Sequence, residues 1–307
     1  MRYLHPKHWF RAIRRGISNF WFYYLLPDGV YLKWKYKKTF NTPLNLKDPQ
    51  KFTEKIQWLK LHDRNECYCN LVDKYKVKEI VAKIIGEEYI IPTIGGKYTK
   101  FSQLDKDKLP DSFVIKCNHD SASVVVCEDK QTFNWDEAER CIMEGLSHDY
   151  YHWENKQWAY KNIDRCFFIE KCLEDSSLHD LPDYKFFCFN GTARCVQFVR
   201  GRRGEDGIAT STYFTTNWEK LPFEHYRPSF KGEIPRPKRL GDMVELAEKL
   251  ARYVGNPFTR IDLYEIDDRI YFGEITFYPA GGMGRISPVE WDYKLGSWMD
   301  LSSLGLK

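Results

Sequence analysis

The chain has 307 residues, 43% of them apolar and 16% aromatic, with 47 Lys and Arg against 43 Asp and Glu for a net charge of +4. That length suits about two domains, or one large domain with an extension, and the composition argues against a disordered chain. Nine cysteines, an odd number without a Cys-x-x-Cys pair, argue against a disulfide framework or a zinc ribbon; in runs such as Phe186-Phe187-Cys188-Phe189 they read as buried reduced thiols, which points to a reducing cytoplasm.

In chain order, residues 1–40 carry nine Lys/Arg against one acid, Asp28, so this segment is +8 and the remainder −4. Twelve aromatics share it, including Trp9, Phe10 and the run Phe20-Trp21-Phe22-Tyr23-Tyr24. That mixture suits an anionic membrane surface; packing of the aromatics on the main body with solvated lysines explains it equally well, and nucleic acid is not the expected partner. No uncharged stretch exceeds the 12 residues of Gly16 to Pro27, short of the roughly 20 that span a bilayer. Pro27-Asp28-Gly29 offers no signal-peptide cleavage site, so secretion is not expected.

Beyond residue 40 the pattern predicts one α+β body, 41–170 forming its amino-terminal part and 171–307 a second lobe. Asp48-Pro49 reads as a helix start followed by Phe52, Ile56 and Leu59 at helical spacing. A second helix is predicted over Leu71–Ile85 with Gly86 as its stop. Strands are predicted at Phe113–Cys117, Ser123–Cys127, Cys166–Cys172, Tyr184–Phe189 and Ala193–Val199, with Asn190-Gly191 as a hairpin turn. Met243, Leu246, Ala247, Leu250, Ala251 and Val254 make an apolar helix face. Phe258–Ile266 and Arg269–Phe277 then form a hairpin through Asp267-Asp268, and its period-two alternation places Arg260 with Asp262, and Glu274 with Thr276, on one face.

Asp262 and Glu274 are the most informative pair, because Mg²⁺ is bound by one or two carboxylates together with nucleotide phosphates. A solvated outer face of the hairpin explains the same alternation. Lys116 ends an apolar strand and precedes the polar turn Asn118-His119-Asp120-Ser121-Ala122-Ser123, a place where amides and an ammonium can meet phosphate. His148 and His152 share helical spacing without an evident third ligand. Cys117 should point into the core. Walker-type and Gly-x-Ser-x-Gly loops are absent.

Together these features resemble the ATP-grasp superfamily, in its TupA-like (teichuronopeptide-biosynthesis) branch. The resemblance covers roughly residues 40–300 and rests on ordered motifs: Phe52-Thr53-Glu54-Lys55-Ile56-Gln57-Trp58-Leu59-Lys60, Asp73-Lys74-Tyr75, Val114-Ile115-Lys116-Cys117-Asn118-His119, Asp183-Tyr184-Lys185-Phe186-Phe187-Cys188-Phe189-Asn190-Gly191, Arg260-Ile261-Asp262, and Gly273-Glu274-Ile275-Thr276-Phe277-Tyr278-Pro279. It implies two α+β lobes sandwiching ATP. It also implies that Lys116 and Lys185 contact phosphates, with Asn118, His119 and Ser121 in the phosphate turn. Glu170, Lys171, Cys172 and Glu174 would form the adenine- and ribose-reading linker. Asp262, Glu274 and Thr276 would hold Mg²⁺, with Arg260 beside them. Arg200, Arg202 and Arg203 would face an acidic acceptor. Thr276 stands where relatives commonly have Asn, and Asp120 and Ala122 where many have glycine.

The implied activity is that of an ATP- and Mg²⁺-dependent carboxylate–amine ligase in bacterial cell-surface polysaccharide synthesis. It would join an acidic sugar or polysaccharide precursor to an amine or amino acid, in the cytoplasm and peripherally on the inner leaflet. A sugar kinase of the same fold, or a non-catalytic assembly protein, are the alternatives.

Overall fold

The structure is a computed structural model that describes residues 21–173, 183–200 and 209–305. Residues 1–20, the first half of the basic aromatic segment, together with Glu174, Arg202 and Arg203, lie outside the described residues. Helix α1 (Asp28–Phe40) follows Pro27, whose carbonyl accepts from the Val30 and Tyr31 amides, and it ends at Asn41 in the left-handed region. It buries Tyr31, Leu32 and Tyr36.

Helix α2 (Phe52–His62) starts later than the Asp48-Pro49 signal predicts. Asn45 Oδ1 accepts the Lys47 and Asp48 amides, making that dipeptide part of a turn, while the Glu54 carboxylate accepts the Gln50 and Lys51 amides at 3.1 and 3.2 Å. The helix begins where its first free N–H groups find that acceptor. The predicted helix over Leu71–Ile85 is two helices, α3 (Tyr68–Val72) and α4 (Val77–Ile85). Asp73 divides them, its Oδ1 accepting the Tyr75 and Lys76 amides at 2.9 and 3.1 Å, an Asx turn that outcompetes the continuing helix. Gly86 ends α4 at φ 121°.

Strands β1 (Phe113–Cys117) and β2 (Val124–Cys127), helices α5 (Trp135–Ser147) and α6 (Tyr150–Trp153), and β3 (Phe167–Lys171) follow. They form an antiparallel sheet in the order β2-β1-β3. Under it, Ala138 and Ile142 of α5 share a core with Phe113, Ile115, Phe167 and Ile169.

The second sheet holds the larger core. It comprises β4 (Asp183–Phe189), β5 (Thr192–Arg200) and β6 (Thr210–Phe214), which the pattern did not mark. A short β7 (Glu224–His225) and helix α7 (Leu240–Val254) intervene before β8 (Phe258–Ile266) and β9 (Arg269–Thr276), and β10 (Ile286–Ser287) and α8 (Glu290–Trp298) close the chain. The strand order is β6-β5-β4-β8-β9, antiparallel throughout, and β7 pairs with β10. Both hairpin turns carry two left-handed residues, Asn190-Gly191 and Asp267-Asp268, the twist a two-residue turn requires.

Helices α2, α4, α7 and α8 pack against this sheet, with Phe52 of α2 4.9 Å from Phe258 and edge-on to it. The stretch 41–170 is therefore shared between two cores: α2–α4 belong by packing to the five-stranded sheet, and β1–β3 with α5 form the smaller lobe. Among the described residues no helix is long and apolar enough to cross a membrane, and all nine cysteines are free thiols.

Candidate functional site

In the β8–β9 ladder Asp262 stands opposite Glu274 and Arg260 opposite Thr276. One residue further the register slips, Leu263 facing Phe272 and leaving Gly273 as a bulge. A Cβ at Gly273 would lie 3.0 Å from the Tyr264 ring and 3.1 Å from the Asp262 carbonyl oxygen, so the close approach of the strands favours glycine there. On the other side of β8, Lys185 of β4 stands opposite Asp262. Three strands thus gather Lys185, Arg260, Asp262, Glu274 and Thr276 on one face. Asp262 is only 1% exposed, so this is an interior site and not the solvated face of a hairpin.

The guanidinium of Arg260 binds the acids as a fork: Nε to Asp262 Oδ1 at 2.6 Å, and Nη2 to Asp262 Oδ2, Glu274 Oε1 and Thr276 Oγ1 at 2.7, 2.8 and 2.9 Å. One cationic nitrogen is therefore surrounded by an oxygen from each of the three residues expected to hold Mg²⁺. An all-oxygen set with two carboxylates fits a hard divalent cation, provided Arg260 yields the place. Lys185 donates to Asp262 Oδ2 and lies 2.6 Å from Asp183 Oδ2. Burial pushes the Asp262 carboxyl upward against the pull of Arg260 and Lys185. Burial would raise Glu274 as well, but Lys74, Arg260 and Lys185 hold it well below the usual carboxylate range.

The opposite wall comes from the smaller lobe and the α3–α4 junction. Lys116, at the end of β1, pairs with Glu170 of β3, as does Lys78 at 2.5 Å. Burial opposes ionisation of Glu170, and the two lysines nevertheless hold its carboxyl below its ordinary value. Lys74 lies 3.4 Å from Glu274 Oε2 and donates to the Asp120 carbonyl. It ties the phosphate turn to the carboxylate face, a connection that sequence reasoning did not assign although Asp73-Lys74-Tyr75 was among the motifs.

Between these walls lies a cavity of about 420 Å³ lined by Lys74, Lys116, Lys185, Arg260, Asp262 and Glu274, with Ser121 at its edge. A second cavity of about 460 Å³ shares Arg260, Glu274 and Ser121 with the first and extends to Tyr150, Tyr160, Lys35 and Thr39. Tyr226 and Arg227 line both. Nothing in the sequence pattern singled out either residue, because the two-residue strand β7 that carries them to the cleft has no periodicity to read. Ser121 Oγ lies 3.3 Å from the Tyr150 hydroxyl.

Other expected contacts are placed elsewhere. The Asn118 side chain is spent on the fold, donating to Asp73 Oδ2 and the Asp164 carbonyl and accepting from the Cys166 amide. His119 is 2% exposed with Nε2 3.2 Å from the His148 carbonyl, and lines neither cavity; burial lowers its pKa, so the neutral ring donates to that carbonyl. Asp120 turns inward to accept from the Ser123 hydroxyl and so caps the turn that glycines would otherwise relax. The Lys171 amide is taken by the Pro92 carbonyl. Lys171 and Cys172, with Leu173, line a separate cavity of about 590 Å³ against Asp267, Arg269 and Tyr271. Arg200 stacks on Phe230, 4.7 Å from the ring centroid, and lines neither cleft cavity. His152 pairs with Asp149 at 2.8 Å and His148 approaches Glu154 at 3.8 Å; among the described residues no three His, Cys, Asp or Glu side chains form a metal cluster. Burial pushes Cys117 up to about 12, which leaves it an inert thiol.

The family profile described as TupA-like ATPgrasp matches residues 54–300, a span that holds the whole carboxylate face and the cleft lysines Lys74, Lys116 and Lys185. The chain belongs to the TupA-like ATP-grasp family. Solved structures similar to this family member include a D-alanine–D-alanine ligase from Bacillus anthracis complexed with ATP, at 17% identity and TM-score 0.39 over 68% of this chain and 55% of that one. A biotin carboxylase in complex with β,γ-ATP from Campylobacter jejuni matches at 13% identity and TM-score 0.43 over 83% of this chain and 54% of that one. An L-amino acid ligase from Bacillus licheniformis matches at 12% identity and TM-score 0.43 over 84% and 57%. The TupA-like chain thus spans little more than half the length of these proteins. No curated protein matches it significantly.

Proposed function

We propose that the chain is an ATP- and Mg²⁺-dependent carboxylate–amine ligase acting on precursors of bacterial cell-surface polysaccharide, peripherally on the inner leaflet of the cytoplasmic membrane. It joins the carboxylate of an acidic sugar to an amine or amino acid. The observation that carries the reading is the convergence of Asp262, Glu274 and Thr276 on one cationic nitrogen, faced by Lys74 and Lys116 across a cavity shared by two lobes.

Asp262, Glu274 and Thr276 would hold Mg²⁺, which neutralises phosphate charge when bound. Lys116 and Lys185 bind phosphate oxygens as point charges, and Arg260, once it leaves the carboxylates, is the planar donor for the group in transfer. In this class of reaction a carboxylate oxygen takes the γ-phosphoryl group and releases ADP; the amine then displaces phosphate and loses a proton. Tyr226 and Arg227 line both cavities and so stand where nucleotide and acceptor would meet. The second cavity, walled by tyrosines and by Lys35, suits a ring compound with negative charge.

The test is the thermal midpoint with ATP and Mg²⁺, with ATP and chelator, and with Mg²⁺ alone. Ligand at 100 times its dissociation constant adds about 2.7 kcal/mol, which moves the midpoint by several degrees. A shift seen only with ATP and Mg²⁺ together, and absent in Glu274→Gln, supports the site. Hydroxylamine trapping of an acyl phosphate with glucuronic or galacturonic acid then separates ligase from kinase. No shift under any condition overturns the reading in favour of a non-catalytic protein.

A further inference from the structure

Helix α1 divides its residues by side. At 100° per residue Val30, Lys33, Trp34, Lys37 and Lys38 fall within an arc of about 140°, and all five are exposed, Trp34 at 40% and Val30 at 52%. Leu25, just before the helix, is 49% exposed. Lys38 Nζ sits 5.1 Å from the Trp34 ring centroid. The opposite arc is built into the protein through Tyr31, Leu32 and Tyr36, and within that arc Lys35 and Thr39 line the second cavity. The helix's one acid, Asp28, is turned to the body, pairing with Arg64 at 2.6 Å and accepting from the Tyr151 hydroxyl at 2.6 Å. The outward face is thus purely cationic, with an indole and aliphatic groups among the lysines.

We propose that this face of α1 docks on an anionic lipid bilayer. Lysine stems and Trp34 match the headgroup region, and Val30 matches the acyl boundary beneath it. The aliphatic Val30 would contribute nothing against a nucleic-acid backbone, which favours lipid over RNA. Docking sets the cavity walled by Lys35 and Thr39 about one helix diameter, roughly 10 Å, from the headgroups. The contact itself stands independently of the ligase reading; its use, delivery of an acceptor carried on a lipid, rests on that reading.

Co-sedimentation of the full chain with phosphatidylcholine vesicles, with and without phosphatidylglycerol, at low and high salt, tests it. Binding is expected only with phosphatidylglycerol and is reversed by salt. At about 1 kcal/mol per lysine, K33E/K37E/K38E should bind about a hundredfold more weakly, and Trp34→Ala several-fold more weakly. Both variants should keep the parent midpoint and its ATP–Mg²⁺ shift. Undiminished binding by the triple variant overturns the proposal, as does equally strong binding to vesicles without phosphatidylglycerol. Loss of the ATP–Mg²⁺ response in the parent chain with vesicle binding intact would instead remove the ligase reading and leave the membrane contact standing.

Discussion

Lys74 and Glu274 meet at 3.4 Å across the cleft, and the same ammonium donates to the backbone carbonyl of Asp120. A single side chain from the α3–α4 junction therefore fixes the spacing between the phosphate turn and the carboxylate face. Two consequences follow for Lys74→Met. ATP–Mg²⁺ binding should weaken more than tenfold, read as a reduced thermal shift. Stability should also become less favourable in a pH-dependent way. A carboxyl held below its ordinary value, 4.5 for Glu274, contributes stability that is complete above that pH and is lost as pH falls through the lowered one. With one of its three cations gone, Glu274 contributes less, so the gap between variant and parent should narrow as acid protonates it in both. Urea midpoints at neutral and acid pH measure this, and a gap that is constant with pH would count against the pairing.

Arg260 occupies the centre of the oxygen set that suits a divalent cation, so the guanidinium and the ion compete. Arg260→Met should bind Mg²⁺ more tightly than the parent in the absence of nucleotide, by calorimetric titration, because no internal cation has to leave. The same variant should lose at least a hundredfold in turnover, since a positioned charge on the transferring group typically supplies about that much. Without Mg²⁺ it should be less stable by about 3 kcal/mol, the lower end of the cost of unpairing a buried charge, since Lys185 and Lys74 still face the carboxylates. Equal Mg²⁺ affinity in both proteins would show that the two cations do not share the site.

The parts of this arrangement that were legible in the sequence are those written in short-range pattern. Period-two alternation placed Arg260, Asp262, Glu274 and Thr276 on one face, and Asn190-Gly191 and Asp267-Asp268 marked turns that the structure makes with left-handed residues. The misses have a common cause, which is side chains spent on the local backbone. Asp73 ends one helix and starts another, Glu54 displaces a helix start, and Asn118 reads as a polar loop residue yet serves as a buried crosslink. Tyr226 and Arg227 were invisible, and Lys74 stood in a quoted motif without an assigned role, for another reason: their roles exist only once residues distant in sequence are brought to the cleft. Arg200 sits beside a basic loop in sequence, but its guanidinium finds the Phe230 ring.

Asn118 supplies a control that separates folding from chemistry. Asn118→Ala removes bonds of 2.8, 3.0 and 2.9 Å to Asp73, the Asp164 carbonyl and the Cys166 amide, the first and last of them buried. Leaving such partners unsatisfied should cost about 3 kcal/mol or more, seen as a lower urea midpoint. Well below its own midpoint the variant should still show ATP–Mg²⁺ binding by calorimetry, because its side chain reaches neither cavity. Loss of nucleotide binding with unchanged stability would place Asn118 in the site after all.

His225 carries a pH dependence of its own. It is buried at the wall of the first cavity, its Nδ1 lies 3.0 Å from the Tyr213 hydroxyl, and burial together with the nearby Arg260 lowers its pKa from 6.5 to about 4. Between pH 4 and 6.5 the unfolded chain therefore binds a proton that the folded one refuses. Stability must then rise with pH across that window and level off above it, a span worth roughly 3 kcal/mol at 1.36 kcal/mol per unit. Carboxylates also titrate near its lower end, so the informative quantity is the difference between parent and His225→Gln, an uncharged variant that can still accept from Tyr213. Denaturant midpoints at several pH values should show the parent losing stability relative to the variant as pH falls from 6.5 to 4. If the two profiles run parallel, the histidine is charged in the folded protein, and the burial that holds Tyr226 and Arg227 at the cleft is looser than the structure has it.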